Sequence, residues 1–127
     1  MFEAGDGLQI HTYCFEPEDD VLTKAVVQIA HGMVETAARY ERFAKFLTDH
    51  GYIVYVNDHR GHGLTAGSPE KVGYLAEIDG FAWLVKDTHR LSEIIRNEHP
   101  DKDLFLFGHS MGSFISQRYI ELYEKVT

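Results

Sequence analysis

The chain has 127 residues, of which 44% are hydrophobic and 25% are charged, a composition typical of one globular domain and not of a disordered segment. Its formal net charge of −8 argues against binding to nucleic acid or to an anionic membrane surface, since both are negative. The single cysteine, Cys14, excludes an intramolecular disulfide and suits a reducing compartment. We expect a cytoplasmic protein, because the sequence shows neither a signal peptide nor an apolar run long enough to span a bilayer.

The first half of the chain shows two strand patterns and one helix pattern. Apolar and polar residues alternate from Leu8 to Phe15, which predicts a half-buried strand near a sheet edge. The run Ala25–Ala30 is mostly apolar and rich in β-branched residues, as in a central parallel strand. Apolar residues recur at helical spacing from Thr36 to His50, and Gly51 marks the end of that helix.

In the second half of the chain, strand and helix patterns continue to alternate. Tyr52–Val56 is typical of a buried strand, and the pattern over Asp79–His99 predicts a long helix with Asp79 as its cap. Asp103–Phe107 predicts another buried strand, followed by a helix over Met111–Lys125. This rhythm predicts an α/β protein with a mostly parallel sheet and helices on both faces.

Three loops leave the predicted parallel strands at the same end, over His31–Val34, Asp58–Gly63 and Gly108–Gly112. In sheets of this kind, ligands bind beyond the C-terminal ends of the strands. A functional site is therefore expected where these loops meet.

The last of these loops has the spacing Gly108-x-Ser110-x-Gly112 between a strand pattern and a helix pattern. That is the arrangement of a nucleophile elbow, in which a strained turn holds a serine hydroxyl clear of the backbone. The two glycines are expected to be pressed against neighbouring strands, where a side chain would not fit. The alternative interpretation is a glycine-rich turn whose serine only caps the helix.

Two further motifs accompany the elbow: His31-Gly32-Met33 after one strand, and Asp58-His59-Arg60-Gly61-His62-Gly63 after the next. In this order and spacing, over nearly the whole chain, the three motifs resemble the N-terminal half of an α/β-hydrolase. More narrowly, they are similar to the monoacylglycerol lipase and lysophospholipase-like serine hydrolases. The resemblance implies a five-stranded sheet of order 1-2-4-3-5 with a poorly formed first strand. Right-handed crossovers then put the first helix on one face and the two later helices on the other.

The resemblance also implies roles for single residues. Ser110 corresponds to the nucleophile, and the backbone N–H groups of Met33 and Met111 correspond to the oxyanion hole, with Ser110 expected at positive φ. The other matched positions correspond to support of the elbow and of the loops around it: Gly108, Gly112, His31, Gly32, Asp58 and Arg60. No cofactor and no metal is implied, and the partner is a small-molecule or lipid ester substrate.

By this resemblance the catalytic acid, the catalytic histidine and the lid lie beyond Thr127, because only seventeen residues follow Ser110. Residues 1–127 would then form a partial domain. We expect a serine carboxylester hydrolase that acts on monoacylglycerol- or lysophospholipid-like esters through an acyl-Ser110 intermediate when the full domain is present. A serine without an adjacent base is a weak nucleophile, so the 127 residues alone are expected to be inactive. The alternatives are a catalytically incompetent fragment and a ligand-binding module on the same fold.

The histidines of this chain are expected to be structural. His109 is next to Ser110, but neighbouring positions in an elbow point apart. His31 lies at the base of the first loop, where a structural hydrogen bond is expected. His59 and His62 are three residues apart, yet no cysteine accompanies them and the ligand count of a metal site is missing. We therefore predict hydrogen-bonded loop histidines and no metal.

The strand Asp103–Phe107 is expected to form an exposed edge, because its outer neighbour would lie beyond the chain. Phe105 or Phe107, with part of the Tyr55 and Val27 surface, is expected to be uncovered. Flat apolar edges are templates for pairing with another chain. Self-association, with a two-fold contact across this edge, is therefore predicted.

Overall fold

The computed structural model of the chain describes residues 1–33, 35–68, 70, 73 and 79–123. Strands and helices alternate from Ala25 onward, as the sequence predicts. In chain order the elements are β1 (Phe2–Glu3), β2 (Gln9–Ile10), β3 (Thr12–Phe15), β4 (Ala25–Ala30), α1 (Glu41–Asp49), β5 (Tyr52–Asn57), α2 (Gly80–Glu98), β6 (Leu104–Gly108) and α3 (Met111–Leu122). Short 3₁₀ turns cover Ala37–Tyr40 and Gly63–Ala66.

The main sheet has four strands within the described residues, in the order β3-β5-β4-β6. Strand β4 is parallel to both β5 and β6, and β3 is antiparallel to β5. This order and the mostly parallel pairing confirm the fold class that the sequence predicts. The C-terminal ends of β4, β5 and β6 consequently lie at one side of the sheet, where ligands bind in such folds.

The prediction of a fifth strand in this sheet is wrong. Strand β1 pairs with β2 instead, in a separate two-stranded ribbon. The single strand expected over Leu8–Phe15 is interrupted at His11. The reason is that the His11 N–H donates to Thr65 Oγ1 at 2.8 Å and the His11 carbonyl accepts from the Asp58 N–H at 2.9 Å. His11 is therefore held by the loop after β5, and the ladder breaks there.

The helices cover both faces of the sheet, as predicted. Helix α1 packs on one face, through a buried cluster of Val27, Ile29, Ala37, Ala44, Val54 and Val56. On the opposite face α2 and α3 pack through two clusters, of Val26, Ile53, Tyr55, Leu91, Ile95 and Leu104, and of Leu84, Val85, Ile115 and Tyr119. No helix in the described ranges combines the length and the apolar character needed to cross a membrane.

Two helix starts differ from the prediction. The segment expected to be helical from Thr36 begins as a 3₁₀ turn and becomes α-helical only at Glu41. Asp79 does precede α2, but its side chain makes no capping hydrogen bond, because its backbone is left-handed (φ 54°, ψ 47°) and a side-chain cap requires an extended residue. The predicted end of the last helix at Lys125 lies outside the described residues, in which α3 ends at Leu122.

One of the two edges of the main sheet is β6, which pairs only with β4 among the described strands. Phe105 and Phe107 are 52% and 41% exposed there, so both are uncovered where one or the other was expected. The expected exposure of Val27 and Tyr55 is wrong, since both are buried. Val27 is covered by α1, and Tyr55 lies on the opposite face, where its hydroxyl donates to Glu98 Oε2 at 2.6 Å.

Candidate active site

Two of the predicted loops meet at Gly32 and Ser110. A Cβ atom added to Gly32 would lie 3.1 Å from the Ser110 Cβ and 3.2 Å from both the His109 carbonyl oxygen and Glu35 Oε1. Contacts this close are tighter than nine in ten real Cβ contacts, so the neighbouring atoms would have to shift. The absence of a side chain at Gly32 is therefore what lets the loop after β4 (His31–Met33, the Gly32 loop) approach the elbow (Gly108–Gly112).

Ser110 has the strained backbone expected of the residue at the apex of an elbow. It joins β6 to α3 with φ 56° and ψ −117°, a conformation that non-glycine residues avoid and that marks functional turns. The predicted positive φ is confirmed. The side chain does not cap α3, which contradicts the alternative interpretation of the sequence. Among the described residues, the Ser110 hydroxyl has no hydrogen-bond partner, histidine rings included.

The elbow glycines are needed because the backbone passes too close for a side chain. A Cβ at Gly112 would collide with the Ala30 carbonyl oxygen at the end of β4. A Cβ at Gly108 would lie 2.6 Å from the Gly112 carbonyl oxygen and 2.7 Å from Ser116 Oγ. The start of α3 is thus pressed against β4 and β6, in agreement with the sequence-based argument.

The N–H groups of Met33 and Met111 are the oxyanion donors that the resemblance implies. Within the described part of the chain, neither donates a hydrogen bond to a protein acceptor. Met111 is the first residue of α3, whose terminal N–H groups carry partial positive charge. The His109 N–H donates to the Ala30 carbonyl at 3.2 Å and so ties the elbow to β4.

A buried cluster at the start of the Gly32 loop contains His31, His59 and His62. The His31 Nε2 accepts from the His59 N–H at 2.9 Å, so its Nδ1 carries the proton and donates to the Gly32 carbonyl at 2.7 Å. The His59 Nε2 donates to the His31 carbonyl at 3.0 Å, and His62 Nδ1 donates to the Arg60 carbonyl at 3.1 Å. Each ring thus hydrogen-bonds a backbone group, as the sequence predicts for structural loop histidines.

The cluster favours neutral imidazoles. Burial lowers the pKa of His31 below its ordinary value and lowers that of His59 well below, because a charged ring would lose its hydration. The neighbouring rings add to the effect, since His31 and His59 lie with their centroids 4.1 Å apart. The buried His59 Nδ1 has no hydrogen-bond partner among the described residues.

Asp58 joins two loops at the end of β5. Its Oδ1 accepts from the Ala37 N–H at 2.7 Å, and its Oδ2 accepts from the Leu64 N–H at 3.0 Å. The same carboxylate occupies the space that a side chain on Gly63 would need. Thr65 adds a third link, because its hydroxyl donates to the Asp58 carbonyl at 2.8 Å. These contacts agree with the supporting position that the resemblance implies for Asp58.

Arg60 is buried beside two carboxylates. Its Nε and Nη2 donate to Asp87 at 2.6 and 2.9 Å, and Nη1 and Nη2 donate to Asp6 at 2.8 and 3.1 Å. The Trp83 ring lies 4.9 Å from the guanidinium carbon. Although burial opposes the charge, these carboxylates raise the pKa of Arg60, and Arg60 in turn lowers the pKa of Asp6. Sequence reasoning missed both acids; the available signal was that a buried arginine requires carboxylate partners.

Glu35 was also missed. Its Oε1 accepts from the Gly32 N–H at 2.8 Å and from the Tyr40 hydroxyl at 2.7 Å. Its Oε2 lies 3.4 Å from His109 Nδ1 and 3.8 Å from Arg39 Nη1. The His109 ring thus points toward Glu35, as expected if it points away from the serine.

A cavity of about 640 Å³ opens beside these residues, between α1 and β6. Its walls are mainly aromatic, with charged groups among them, and its lining residues are Glu35, Arg39, Tyr40, Arg42, Phe43, Phe46, Phe107 and His109. The cavity therefore connects the free sheet edge with the elbow.

The family model for the serine aminopeptidase S33 hydrolases (Hydrolase_4) matches residues 22–127 of the chain. The chain belongs to this family. A monoacylglycerol lipase of Mycolicibacterium smegmatis is 36% identical over 118 residues, which make up 93% of this chain and 39% of the relative. The monoglyceride lipase of Mus musculus is 34% identical over 93 residues, or 73% of this chain and 29% of the relative.

The structural similarity to known proteins agrees with the sequence similarity. A carboxyl esterase from Bacillus coagulans superposes with a TM-score of 0.88 at 29% identity, over 98% of this chain and 40% of the esterase. The chain is thus an α/β-hydrolase similar to the monoacylglycerol lipases, which confirms the resemblance seen in the sequence. It spans less than half the length of these three relatives.

Proposed function

We propose that this α/β-hydrolase contributes the nucleophile and the oxyanion hole of a serine carboxylester hydrolase, with Ser110 as the nucleophile. The observation that carries the proposal is the positive φ of Ser110 at the strand–helix turn, close to the Gly32 loop. Strain of this kind persists where the surrounding structure enforces it, and it concentrates at active sites.

In the proposed reaction, Ser110 Oγ attacks the ester carbonyl carbon and gives a tetrahedral intermediate. The N–H groups of Met33 and Met111 donate to its oxyanion, which preorganised backbone donors stabilise without further rearrangement. Cleavage of the ester C–O bond leaves an acyl-Ser110 and releases the alcohol, whose oxygen takes up the proton that Ser110 lost. A water molecule then attacks the acyl carbon, its proton passes to Ser110 Oγ as the acyl C–O bond breaks, and the fatty acid leaves.

The substrates we propose are single-chain glycerol esters such as monoacylglycerols, with lysophospholipids as the neighbouring class. The support comes from relatives named as monoacylglycerol lipases. Glycerol monoesters are uncharged, so the net charge of −8 does not oppose their binding.

Proton transfer from Ser110 requires a general base, by analogy with the Ser–Asp–His order of this fold. Among the described residues, no histidine ring hydrogen-bonds the Ser110 hydroxyl. We therefore propose that residues 1–127 form part of a catalytic domain, and that the base and its acid come from polypeptide outside them. The 127 residues alone should hydrolyse a monoacylglycerol no faster than buffer does.

The test compares this chain with a chimaera in which it is followed by the remainder of the M. smegmatis monoacylglycerol lipase. The chimaera should release fatty acid from a monoacylglycerol and react with a fluorophosphonate at Ser110. Ser110→Ala should abolish both, whereas Ser113→Ala, one helix position beyond the elbow, should retain both. A folded chimaera that binds ester without turnover would instead identify a ligand-binding module, and turnover by the isolated chain would refute its proposed incompleteness.

We further propose that the isolated chain self-associates through the free edge of β6. The support is that this edge carries Phe105 and Phe107, which are both more than two-fifths exposed. Unpaired apolar edges pair readily with a second strand.

A further inference from the structure

We infer that Glu35 is a positioning residue that fixes the Gly32–Met33 peptide against the elbow, an inference that rests on the proposed function. The first observation is that two hydrogen bonds join Glu35 to Gly32. Its carboxylate accepts from the Gly32 N–H at 2.8 Å, and its own N–H donates to the Gly32 carbonyl at 3.3 Å. One residue therefore holds both polar groups of the glycine.

These two hydrogen bonds determine where the Met33 N–H points. The C=O of Gly32 and the N–H of Met33 belong to one planar trans peptide, in which the two bonds point in opposite directions. The Gly32 carbonyl is turned inward, toward the Glu35 N–H and the His31 Nδ1–H, which lies 2.7 Å away. The Met33 N–H must then point the opposite way, away from the Glu35 N–H and the His31 ring.

The second carboxylate oxygen reaches the elbow. Glu35 Oε2 lies 3.4 Å from Nδ1 of His109, the residue immediately before Ser110. Glu35 therefore contacts the residue that precedes Met33 and the residue that precedes Ser110. Met33 follows Gly32 in the chain, and Ser110 and Met111 follow His109. A shift of this carboxylate would therefore change the distance between Met33 and the two elbow residues.

The carboxylate is itself held rigidly. Only 11% of the Glu35 side chain is exposed, and the Tyr40 hydroxyl donates to Oε1 at 2.7 Å. Partial burial opposes ionisation, but the hydrogen bonds from Tyr40 and Gly32, with His109 and Arg39 nearby, keep the pKa of Glu35 below its ordinary value. A fixed, charged acceptor of this kind binds an N–H more strongly than a neutral one does.

The experiment uses Glu35→Gln, which preserves the size of the side chain and removes the charge. Amide hydrogen exchange reports the Gly32 N–H, and exchange should accelerate on the order of tenfold when the charged acceptor is lost. In the chimaera, a phenylboronic acid reports the site, since boron forms a tetrahedral adduct with the Ser110 oxygen while the serine proton passes to buffer. Its affinity should fall on the order of tenfold. Tyr40→Phe removes only the hydrogen bond from Tyr40 to the carboxylate. It should accelerate Gly32 exchange and weaken boronate binding by smaller factors.

The matched control is Glu41→Gln, the same chemical change on the exposed first residue of α1. It should alter neither exchange at Gly32 nor the boronate affinity. Unchanged Gly32 exchange in Glu35→Gln, or an equal acceleration at Gly32 and at the core residue Val54, would overturn the inference, because only local loosening supports positioning. If the unaltered chimaera and its Ser110→Ala variant bind boronate equally, the proposed function fails, while exchange at Gly32 still decides the role of Glu35.

Discussion

His31 and His59 contribute to folding only while their rings are neutral. His31 Nε2 must accept from the His59 N–H, and a protonated ring has no lone pair with which to accept it. Because the folded pKa values of both rings are depressed, the unfolded chain binds more protons once the pH falls below about 6.5. This stabilising contribution is present above that pH and is lost progressively below it.

We expect the free energy of unfolding in urea to fall between pH 6.5 and 5, by up to about 1.4 kcal/mol per pH unit for each histidine. His59→Gln should reduce the slope by about that amount, since the glutamine amide can still donate to the His31 carbonyl but does not titrate. The control is Gln117→Asn, at an exposed position of α3, which changes no titratable group and should leave the slope unchanged. An identical slope in His59→Gln and the unaltered chain would contradict the assignment.

The buried Arg60 gives a second prediction at this scale. Removing one partner of a buried ion pair leaves a charge with incomplete compensation, which costs about 3–5 kcal/mol. Asp87→Ala should therefore lower the free energy of unfolding by about 3 kcal/mol, because Asp6 still faces the guanidinium. Urea denaturation followed by circular dichroism measures the loss.

The comparison for Asp87→Ala is Asp49→Ala, which breaks the exposed pair with Lys45 at 3.7 Å. Exposed pairs contribute less than about 1 kcal/mol. Equal losses in the two variants would mean that Arg60 is accommodated without Asp87.

At the scale of elements, the start of α3 is set by contact with β4 and not by helix propensity. Alanine is the better helix former, and on propensity alone Gly112→Ala would stabilise α3 by about 1 kcal/mol. The added methyl group would, however, collide with the Ala30 carbonyl, which is part of the sheet and cannot move away. We therefore expect a net destabilisation of about 1–3 kcal/mol, as for other overpacked sites.

The measurement is again urea denaturation, with Ser113→Ala as the control in the same turn of α3. That variant should change the free energy of unfolding by less than about 0.5 kcal/mol. A stabilised Gly112→Ala would show that α3 can separate from β4 at little cost, and the elbow would then not be fixed by this contact.

For the whole molecule, the exposed edge of β6 predicts association of the isolated chain. Sedimentation at micromolar concentration should give a species of roughly twice 14.5 kDa. Phe105→Lys should shift the equilibrium toward the monomer, because charge on an edge strand opposes pairing. Leu22→Lys changes an even more exposed residue, at 83%, which precedes β4 and is not part of β6, and it should have no effect. A clean monomer, or equal effects of the two substitutions, would refute pairing through β6.

The sequence by itself determined the strand–helix rhythm, the strained serine turn and the requirement for glycine on either side of it. These features depend on local geometry. Periodicity reports which face of an element is buried, and the spacing around Ser110 reports a turn that few residues can make. The Thr36 helix start and the Asp79 cap were predicted less well, because propensity at a helix end is easily overridden by tertiary contacts.

Only the tertiary structure decided which polar groups meet. Arg60 reaches Asp87, 27 positions away, and Asp6, 54 positions away. Glu35 is close to Gly32 in the chain, yet its contact with His109 depends on the packing of β6 beside β4. Gln28 interrupts an apolar strand because its amide binds the Thr88 carbonyl on α2. An ionic or hydrogen-bonding side chain shows in sequence that it needs a partner, but the partner is chosen by which elements the apolar core brings together.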